Sequence, residues 1–402
     1  MNHESSSINL SYTIVNTLLW LSASFVTGYA ASYLLSAGFS STIIGTLLSF
    51  SAVFSILLQT LTGYICDRWS RFTCRFFLLM MFAVSSLLSV RLCLSSRKAE
   101  IALFFLALNG IHLAMETLIY TLANEYMNAF SHFHFGRSRA FGSLFSAAGM
   151  AVMGSFLSRY SIIILPLTVL VINLFCTIFT LFFLPESTAS LPPSSSRTSV
   201  PHAKGYLSFF RNHRMLIPFF LGILFIYISA SSVYNFQINI LKELGAGSAE
   251  LGISCAIGCI TEVPLMFAFS FFASRFSTVS LVRAGTFFYV LKIALFAFAS
   301  RVPMVYFAQL FQGPSYALLS MFSVCYINQN TSSHEKAKGQ ALLGMIGNGM
   351  AGIISNITAG RMMDTLGVKT TLLACLFLSG TGFLLVISSL RYTSSATQKK
   401  LS

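Results

Sequence analysis

The sequence predicts an all-α membrane protein of twelve transmembrane helices, arranged as two six-helix halves. Hydrophobic residues make up 55% of its 402 residues and charged residues only 9%, whereas about 25% charged residues is usual for a soluble domain. The apolar runs are about 20 residues long or longer, enough for a helix that crosses a hydrocarbon core of about 30 Å and too long for barrel strands. One long polar stretch divides the chain, and the sequences on its two sides repeat each other.

Twelve apolar runs are predicted to be membrane spans. They lie at about 10–35, 42–65, 73–94, 101–128, 139–160, 162–184, 215–241, 249–272, 280–300, 303–328, 338–361 and 370–390. The first run follows Asn2-His3-Glu4-Ser5 rather than a basic segment. We therefore interpret it as a retained span and not as a cleaved signal peptide.

A polar stretch from Pro185 to Arg214 separates the halves. It contains Pro192-Pro193, three serines directly after them and four basic residues, which is a composition typical of a linker. The sequence predicts an N-terminal six-helix bundle at 1–184, a cytoplasmic linker loop at 185–214 and a C-terminal six-helix bundle at 215–402 with a short cytoplasmic tail.

The two halves are internal repeats. An offset of 207 residues aligns Leu35–Gly45 with Lys242–Gly252 and Gly63–Ser70 with Ser270–Ser277, with matching glycines and charges. Weaker echoes about 90 residues after each of the two loops indicate that each half consists of two three-span repeats. Nested repeats of this kind are typical of secondary transporters.

The 25 Lys and Arg residues are distributed unevenly between the two ends of the predicted spans. Sixteen fall on the side of the termini, eight fall on the other side, and Lys292 falls inside a span. By the positive-inside rule both termini are cytoplasmic, and we expect a multi-pass protein of a bacterial plasma (inner) membrane. The net charge of +14 therefore reflects membrane topology and does not indicate nucleic-acid binding.

All eight cysteines lie in or at the ends of apolar spans, and none belongs to a Cys-x-x-Cys pair. We interpret them as small apolar side chains and predict no disulfide and no metal site. No cofactor is expected, and a proton gradient is the expected energy source.

Ionisable side chains inside the spans are costly, so they are the first candidates for a solute or ion site. Three carboxylates fall inside spans, Glu116 and Glu125 in the fourth and Glu262 in the eighth, and the basic candidates are Arg139 and Lys292. Polar residues on the fourth span also recur at helical spacing and should line a cavity rather than face lipid. One stripe consists of Asn109, His112, Glu116 and Tyr120, and the adjacent stripe consists of Thr117, Thr121, Asn124 and Asn128.

Glu262 directly precedes Val263-Pro264, and a proline in a membrane helix frees a backbone carbonyl and favours a kink. Lys292 on the next span is placed to neutralise Glu262, either as a purely structural ion pair or as part of a proton-coupling site. His112 is a weaker candidate for a proton relay, because buried histidines are often satisfied by their neighbours.

The loop after the second span resembles the signature of the major facilitator superfamily. It reads Gly63-x-x-x-Asp67-Arg68-x-Ser70-Arg71, with the second glycine of the signature replaced. The glycine permits close helix approach, and the acid and arginines can form charge-assisted bonds that hold one conformational state. The expected conformational gate consists of Gly63, Asp67, Arg68 and Arg71, with Gly360 and Asp364 as a weaker counterpart on the outside. The alternative is that these basic residues only fix the topology.

The start of the fifth span resembles the oligosaccharide:proton symporters, the lactose-permease-like group of this superfamily. The resemblance rests on Phe135-Gly136-Arg137-Ser138-Arg139-Ala140-Phe141-Gly142-Ser143, on Leu122-Ala123-Asn124, on Glu262-Val263-Pro264 and on Gln309-Leu310-Phe311-Gln312-Gly313-Pro314. It implies the major facilitator fold, with the substrate held near the midplane between the halves.

The resemblance also implies roles for single positions. Arg139 matches the family arginine that contacts the sugar, while the acid that pairs with it in the family falls here at Thr121. The sequence leaves open whether Glu125 or Glu116 replaces that acid. The family's sugar-stacking tryptophan falls at Ser146, so the aromatic platform for a galactoside ring is missing.

Two further family positions carry residues that do not titrate. The coupling histidine falls at Gln312 and the proton-carrying acid at Ser315, and neither an amide nor a serine hydroxyl exchanges a proton near neutral pH. If protons drive transport, Glu262 or Glu116 must therefore carry them.

We expect a secondary active transporter, not an enzyme, that moves a small polar organic solute such as a sugar, oligosaccharide or nucleoside by alternating access. Proton-coupled symport is the expected mechanism. The expected substrate-binding residues are Arg139, Glu116, Asn124, Glu125, Ser143, Asn235, Gln309 and Gln312, and the expected proton-coupling residues are Glu262, Lys292 and Glu116.

The main alternative is a drug/proton efflux antiporter of the same fold, which the 40 phenylalanines suit. A membrane enzyme or a sensor is disfavoured, because His112-x-x-x-Glu116 is the sole pattern with catalytic residue types and no nucleotide-binding motif is present. The expected partners are the solute, protons and the lipid bilayer, without nucleic acid, and we expect a functional monomer. The sequence does not determine the substrate, the direction of transport, the coupling ion or the oligomeric state.

Overall fold

The computed structural model describes residues 2–69, 71–130, 133, 135–185, 203–332 and 335–398. Within these ranges the side chains of residues 2–7, 67, 203–205, 207, 348 and 391–398 lie outside the description. The described residues form helices joined by short turns, and no strand occurs among them. The predicted all-α class is therefore confirmed.

The twelve predicted spans are present. The first six are Asn2–Gly28 continued by Ala30–Ser36, Ser41–Arg68, Cys74–Leu94, Lys98–Ala129, Phe135–Arg159 and Ile164–Phe183. The last six are Ile217–Asn235 continued by Gln237–Glu243, Ser248–Phe267 continued by Phe269–Arg275, Thr278–Ala297, Val302–Gln309 continued by Gln312–Asn330, Lys336–Leu366 and Val368–Gln398. Eleven contain a helix of sufficient length and hydropathy to cross a membrane among the described residues, while the tenth is divided at Leu310-Phe311.

The internal repeat predicted from the amino-acid sequence is present in the backbone. The break between Gly28 and Ala30 in the first span recurs 207 residues later between Asn235 and Gln237 in the seventh. Each of these spans is followed by a glycine with positive φ, 79° at Gly38 and 74° at Gly245. A residue with a Cβ rarely adopts this conformation, so the matched glycines end matched helices.

Hydroxyl side chains cap several of the helices. The side chains of Ser40, Thr73 and Ser277 accept hydrogen bonds from backbone N–H groups three residues later, which satisfies donors that the first turn of a helix leaves open. The eighth span passes through Pro264 and breaks four residues later at Ala268. The interruption that the proline predicts is therefore displaced toward the C-terminal end of the span.

The end of the predicted linker is helical, which corrects the prediction of a loop over 185–214. Residues 186–202 lie outside the described part of the chain, and Ala203–Asn212 forms an amphipathic helix followed by a short 3-10 turn. The prediction rested on prolines and serines, whereas Phe209 at 0% exposure and the flanking Phe210 pack into the core of the second unit. Tyr206, three and four residues earlier, packs against the same core, and apolar side chains at this spacing share one face of a helix, which stabilises the segment as a helix.

The chain divides into two compact units. The first comprises Met1–Arg197 with Ala246–Ala256, and the second comprises Thr198–Gly245 with Ile257–Ser402. In the second unit the seventh and twelfth spans approach closely at Gly222 and Gly382, where a Cβ on either glycine would meet the carbonyl oxygen of the other. Small residues permit this close backbone contact between membrane helices.

Candidate functional site

The first unit contains a cluster around Arg139, which we call the arginine cluster: Trp20, Glu116, Tyr120, Arg139 and Ser143. Arg139 lies one turn inside the helix Phe135–Arg159, and its Nη1 donates to Ser143 Oγ at 3.0 Å. Its guanidinium carbon lies 4.1 Å from the centroid of the Trp20 ring. The arginine is therefore held by a hydrogen bond one turn later on its own helix and by a cation–π contact with the first span.

Glu116 and Tyr120 lie one turn apart on the fourth span, and both are close enough to Arg139 to interact with its charge. The Tyr120 ring centroid is 5.9 Å from that of Trp20 and 5.7 Å from that of Phe135. The structure therefore places Glu116 beside Arg139.

Glu125, the other acid that the sequence left open, lies elsewhere. It is 7% exposed and lies against the thiol of Cys74 at the start of the third span. Asn124, one residue earlier on the helix, is exposed. The geometry brings neither Glu125 nor Asn124 into the arginine cluster.

Contacts between the first and fifth spans fix the backbone that carries Arg139. Asn16 Nδ2 donates to the carbonyl oxygen of Ser138 at 2.8 Å, and the hydroxyls of Thr13 and Ser138 are 2.6 Å apart. Gly142 faces Trp20 and Asn16 so closely that a Cβ would lie 3.2 Å from the Trp20 ring. The first span is therefore packed against the helix face that presents the arginine.

Trp20 belongs to this cluster, and the residue-by-residue interpretation of the sequence missed it. The expected aromatic position, Ser146, is buried at 4% exposure, and the aromatic ring beside Arg139 comes from a different helix. The available signal was that Trp20 is one of two tryptophans in the chain and lies inside a membrane span.

His112 lies in a separate polar network of the first unit. It is 0% exposed, its Nε2 is 2.9 Å from Ser22 Oγ, and its Nδ1 is 2.9 Å from the carbonyl oxygen of Leu108. Ser22 also contacts Asn173 Oδ1 at 3.1 Å. Both ring nitrogens have partners, which is the arrangement of a satisfied core histidine.

The second unit contains a cluster that we call the glutamine bridge: Glu262, Lys292 and Gln312. Gln312 Nε2 donates to Glu262 Oε1 at 2.8 Å, and Gln312 Oε1 accepts a hydrogen bond from Lys292 Nζ. Lys292 is only 6% exposed, and a buried ammonium requires such partners. The sequence predicted that Lys292 neutralises Glu262, and the structure adds an amide that contacts both.

Two pairs of amide side chains involve residues beside the breaks of the seventh and tenth spans, and the fourth amide, Asn356, lies in the eleventh span. Gln309 Nε2 donates to Gln237 Oε1 at 3.2 Å, and Asn235 Nδ2 donates to Asn356 Oδ1 at 2.6 Å. The Oε1 atom of Gln309 is buried and has no hydrogen-bond partner within the described ranges. The second unit thus combines these neutral amides with the carboxylate and the ammonium of the glutamine bridge.

Ser315 lies next to the bridge, at 0% exposure, and its hydroxyl donates to the carbonyl oxygen of Gln312 at 3.0 Å. Gly313 permits the tenth span to approach the eighth, because a Cβ at this position would collide with the carbonyl group of Thr261. At this contact the backbone N–H of Gly313 donates to Thr261 Oγ1 at 3.2 Å. These contacts position Gln312 relative to Glu262.

The predicted gate residues lie at helix ends. Gly63, Arg68, Arg71 and Asp364 are exposed and Gly360 is buried, while the side chain of Asp67 lies outside the described part of the chain. Arg75 was not predicted to have a specific role. Its guanidinium donates to the carbonyl oxygens of Thr180 and Leu181, at 3.2 and 2.9 Å. It therefore satisfies the open carbonyls at the end of the sixth span.

Comparison with known proteins gives a family and two relatives. Residues 10–374 match the MFS_1 like family. The chain is 24% identical over 251 residues to an uncharacterized transporter, YwbF, of Bacillus subtilis (strain 168), a match covering 62% of this chain and 61% of that protein. It is 24% identical over 190 residues to a putative nucleoside transporter, YegT, of Escherichia coli (strain K12), covering 46% and 43%. Each match spans less than two thirds of the relative's length.

Two solved structures are similar over nearly the whole chain. The nucleoside transporter NupG matches with a TM-score of 0.80 and 17% identity, covering 96% of this chain and 98% of that one. A D-xylose-proton symporter matches with a TM-score of 0.68 and 15% identity, covering 95% and 96%. At these identities the likeness shows the fold alone.

Proposed function

Since its residues 10–374 match that family, the chain belongs to the MFS_1 like family, and we propose that it is a multi-pass secondary transporter of the major facilitator kind that carries nucleosides by proton-coupled symport. Sugars are the second substrate class. We further propose a bacterial inner membrane, cytoplasmic termini and a functional monomer, from the distribution of basic residues and the six-plus-six repeat.

The observation that carries the proposal is a set of four neutral amides in the second unit, three of them buried and Asn235 partly buried. Gln237, Gln309, Asn235 and Asn356 present both donors and acceptors, and one acceptor, Gln309 Oε1, has no partner among the described residues. An uncharged solute with hydroxyl, carbonyl and ring N–H groups can exchange hydrogen bonds with such side chains. An apolar drug would leave the buried Gln309 Oε1 without a donor, at a cost of about 1–3 kcal/mol.

Nucleosides are placed before sugars for two reasons. The putative nucleoside transporter YegT and the nucleoside transporter NupG are the relatives named for a substrate of this kind. The residues that would mark an oligosaccharide:proton symporter are replaced here at Thr121, Gln312 and Ser315. On this proposal, Arg139 contacts a polar solute as the matching arginine does in the oligosaccharide:proton symporters, although the solute differs.

Glu262 is the proposed proton carrier. It is the titratable acid of the glutamine bridge, and the Gln312 amide that contacts it cannot take up a proton. Protonation of Glu262 removes the charge that Gln312 and Lys292 stabilise, so proton binding is coupled to the arrangement of the eighth, ninth and tenth spans. Glu116 beside Arg139 is the second candidate carrier.

Transport assays on sealed, right-side-out membrane vesicles test the proposed function. A pH electrode records the external pH while nucleosides, pentoses, disaccharides and cationic drugs are added one at a time, and labelled solute is followed in parallel. The proposal expects alkalinisation and uptake with at least one nucleoside. Extrusion of a cationic drug driven by a proton gradient, without uptake of any polar solute, would establish the drug/proton antiporter instead.

A further inference from the structure

Trp20 lies at the centre of the arginine cluster and is only partly buried. Its ring lies under the Arg139 guanidinium at 4.1 Å, and the Tyr120 ring is 5.9 Å away at an angle of 60°. Two aromatic rings from the first and fourth spans and a guanidinium from the fifth therefore meet in one place. Such groups bind planar rings by stacking and cation–π contacts.

The indole N–H of Trp20 makes no hydrogen bond to the described part of the chain. Its Nε1 atom is nevertheless buried. Buried tryptophans usually find an acceptor for this group, and leaving it unpaired is costly. A phenylalanine would fill the same space without that cost, so packing alone does not explain a tryptophan here.

Gly142 accounts for how the tryptophan fits. A Cβ at this position would lie 3.2 Å from Trp20 Cδ1 and 3.3 Å from Asn16 Nδ2. The glycine therefore leaves space for the indole on the helix that carries Arg139 and Ser143. Because Gly142 has no side chain, the first and fifth spans approach closely enough for the Trp20 ring to contact the Arg139 guanidinium.

We propose that Trp20 is a specificity-determining residue that selects solutes with a planar ring, such as the base of a nucleoside, over solutes with a sugar ring alone. It holds the Arg139 guanidinium in place by the cation–π contact, and its indole N–H donates to an acceptor oxygen or nitrogen on the planar ring. This inference rests on the proposed function, because it names the part of the substrate that the arginine cluster recognises.

A purely structural role for Trp20 predicts different behaviour. A structural tryptophan would change stability when replaced but would affect KM for a nucleoside and for a pentose equally. A substrate-contacting tryptophan changes the ratio of the two KM values. Trp20→Phe keeps a ring over Arg139 and removes only the N–H, and Trp20→Leu removes both the ring and the N–H.

The second tryptophan supplies the matched control. Trp69 lies in the loop after the second span, is 49% exposed and is the one other tryptophan of the chain. In the Trp69→Phe protein, tryptophan fluorescence excited beyond the absorption of the 15 tyrosines reports Trp20 alone. Titration of this purified protein with uridine and with D-ribose then measures contact with Trp20 directly, without a transport assay.

We expect uridine to change the emission of the Trp69→Phe protein in a saturable way, and D-ribose to leave it unchanged. KM for uridine should rise about fivefold in Trp20→Phe, the effect of one neutral hydrogen bond, and about thirtyfold in Trp20→Leu, with KM for D-ribose changed less than twofold. An unchanged emission in a Trp69→Phe protein that transports uridine, or an unchanged KM ratio in Trp20→Phe, overturns the inference. If the wild-type protein transports no nucleoside and no pentose, the proposed function fails instead.

Discussion

The side-chain amide of Gln312 donates a hydrogen bond of 2.8 Å to the carboxylate of Glu262. The same amide accepts from Lys292, so one neutral side chain contacts an acid and a base that lie on two other spans. In the resembling symporters this position carries a titrating histidine. Here the amide can transmit a change in charge at Glu262 to Lys292 without taking up a proton itself.

Replacing Lys292 by Met should destabilise the protein more than replacing Lys292 and Glu262 together. Lys292→Met leaves the Glu262 charge without its nearby cation, which costs about 3 kcal/mol. Adding Glu262→Gln removes that charge and should restore much of the thermal stability in detergent.

Lys242→Met is the control for this prediction, because Lys242 lies exposed at the end of the seventh span. It should leave the melting temperature within about 1 °C, as surface substitutions do. Equal loss of melting temperature in Lys292→Met and in the double variant would show that the two charges are not coupled.

Arg139→Ala should reduce uptake about hundredfold at a low solute concentration while the protein still inserts at the normal level. The variant loses the charged hydrogen bonds and the cation–π contact of the guanidinium. Arg139→Lys keeps the charge but not the planar fork, and Ser143→Ala removes one partner at 3.0 Å. Both variants should take up solute at rates between those of Arg139→Ala and the wild type.

The neighbouring Arg137→Ala is the matched control, since Arg137 is exposed two residues away on the same helix. Uptake by the Arg137 variant should remain within twofold of wild type, which labelled-solute uptake in cells measures. Equal loss in both arginine variants would assign the effect to membrane topology rather than to the site.

Gly142→Leu should abolish uptake, because its side chain would displace Trp20 and Asn16 from the face of the fifth span. Gly136→Leu on the same helix is the control, since no atom of another described segment lies within 4 Å of a Cβ there. Uptake and the amount of inserted protein are measured for both. Full activity of Gly142→Leu would contradict the close packing of the arginine cluster.

The helix Ala203–Asn212 should dock less firmly at acidic pH. His213 Nε2 lies 2.7 Å from Glu335 Oε2, and this hydrogen bond lowers the pKa of Glu335. An acid with a lowered pKa contributes stability that is fully present above its ordinary pKa of 4.5 and is lost as the pH falls through the lowered value. The pair is 18% exposed, so the contribution is at most about 1 kcal/mol.

Hydrogen exchange of residues 206–213 measures this docking. Protection should fall below about pH 4 in the wild-type protein, and Glu335→Gln should show the lower protection already at neutral pH. Identical protection in Glu335→Gln and wild type at neutral pH would exclude a role of the ion pair in holding the helix.

The positions of the membrane spans could be predicted well, because they depend on properties that are local in sequence. Apolar run length fixes the spans, and the 207-residue repeat located Gly38 and Gly245, whose positive φ values end matched helices. The helix at 203–212 was missed because its stability comes from Phe209 packing into a distant part of the chain, which composition does not reveal.

The candidate site could be predicted only in part. The sequence indicated the ionisable residues, since charge inside a span is costly wherever it lies. It could not choose between Glu116 and Glu125, because they differ in which neighbouring helix they face, and it missed Trp20, whose contact with Arg139 joins residues 119 positions apart. The bridging position of Gln312 likewise depends on the register of three spans.

The most direct test of the account compares wild-type and Glu262→Gln protein in proteoliposomes, with Glu116→Gln as control. Uridine exchange across the membrane is measured without a proton gradient, and uridine accumulation is measured with one. The proposed role of Glu262 predicts that Glu262→Gln keeps exchange but loses gradient-driven accumulation and alkalinisation, whereas Glu116→Gln, which changes the arginine cluster, keeps accumulation and alkalinisation even where its KM for uridine rises. Gradient-driven accumulation of uridine by Glu262→Gln at the wild-type level would contradict it.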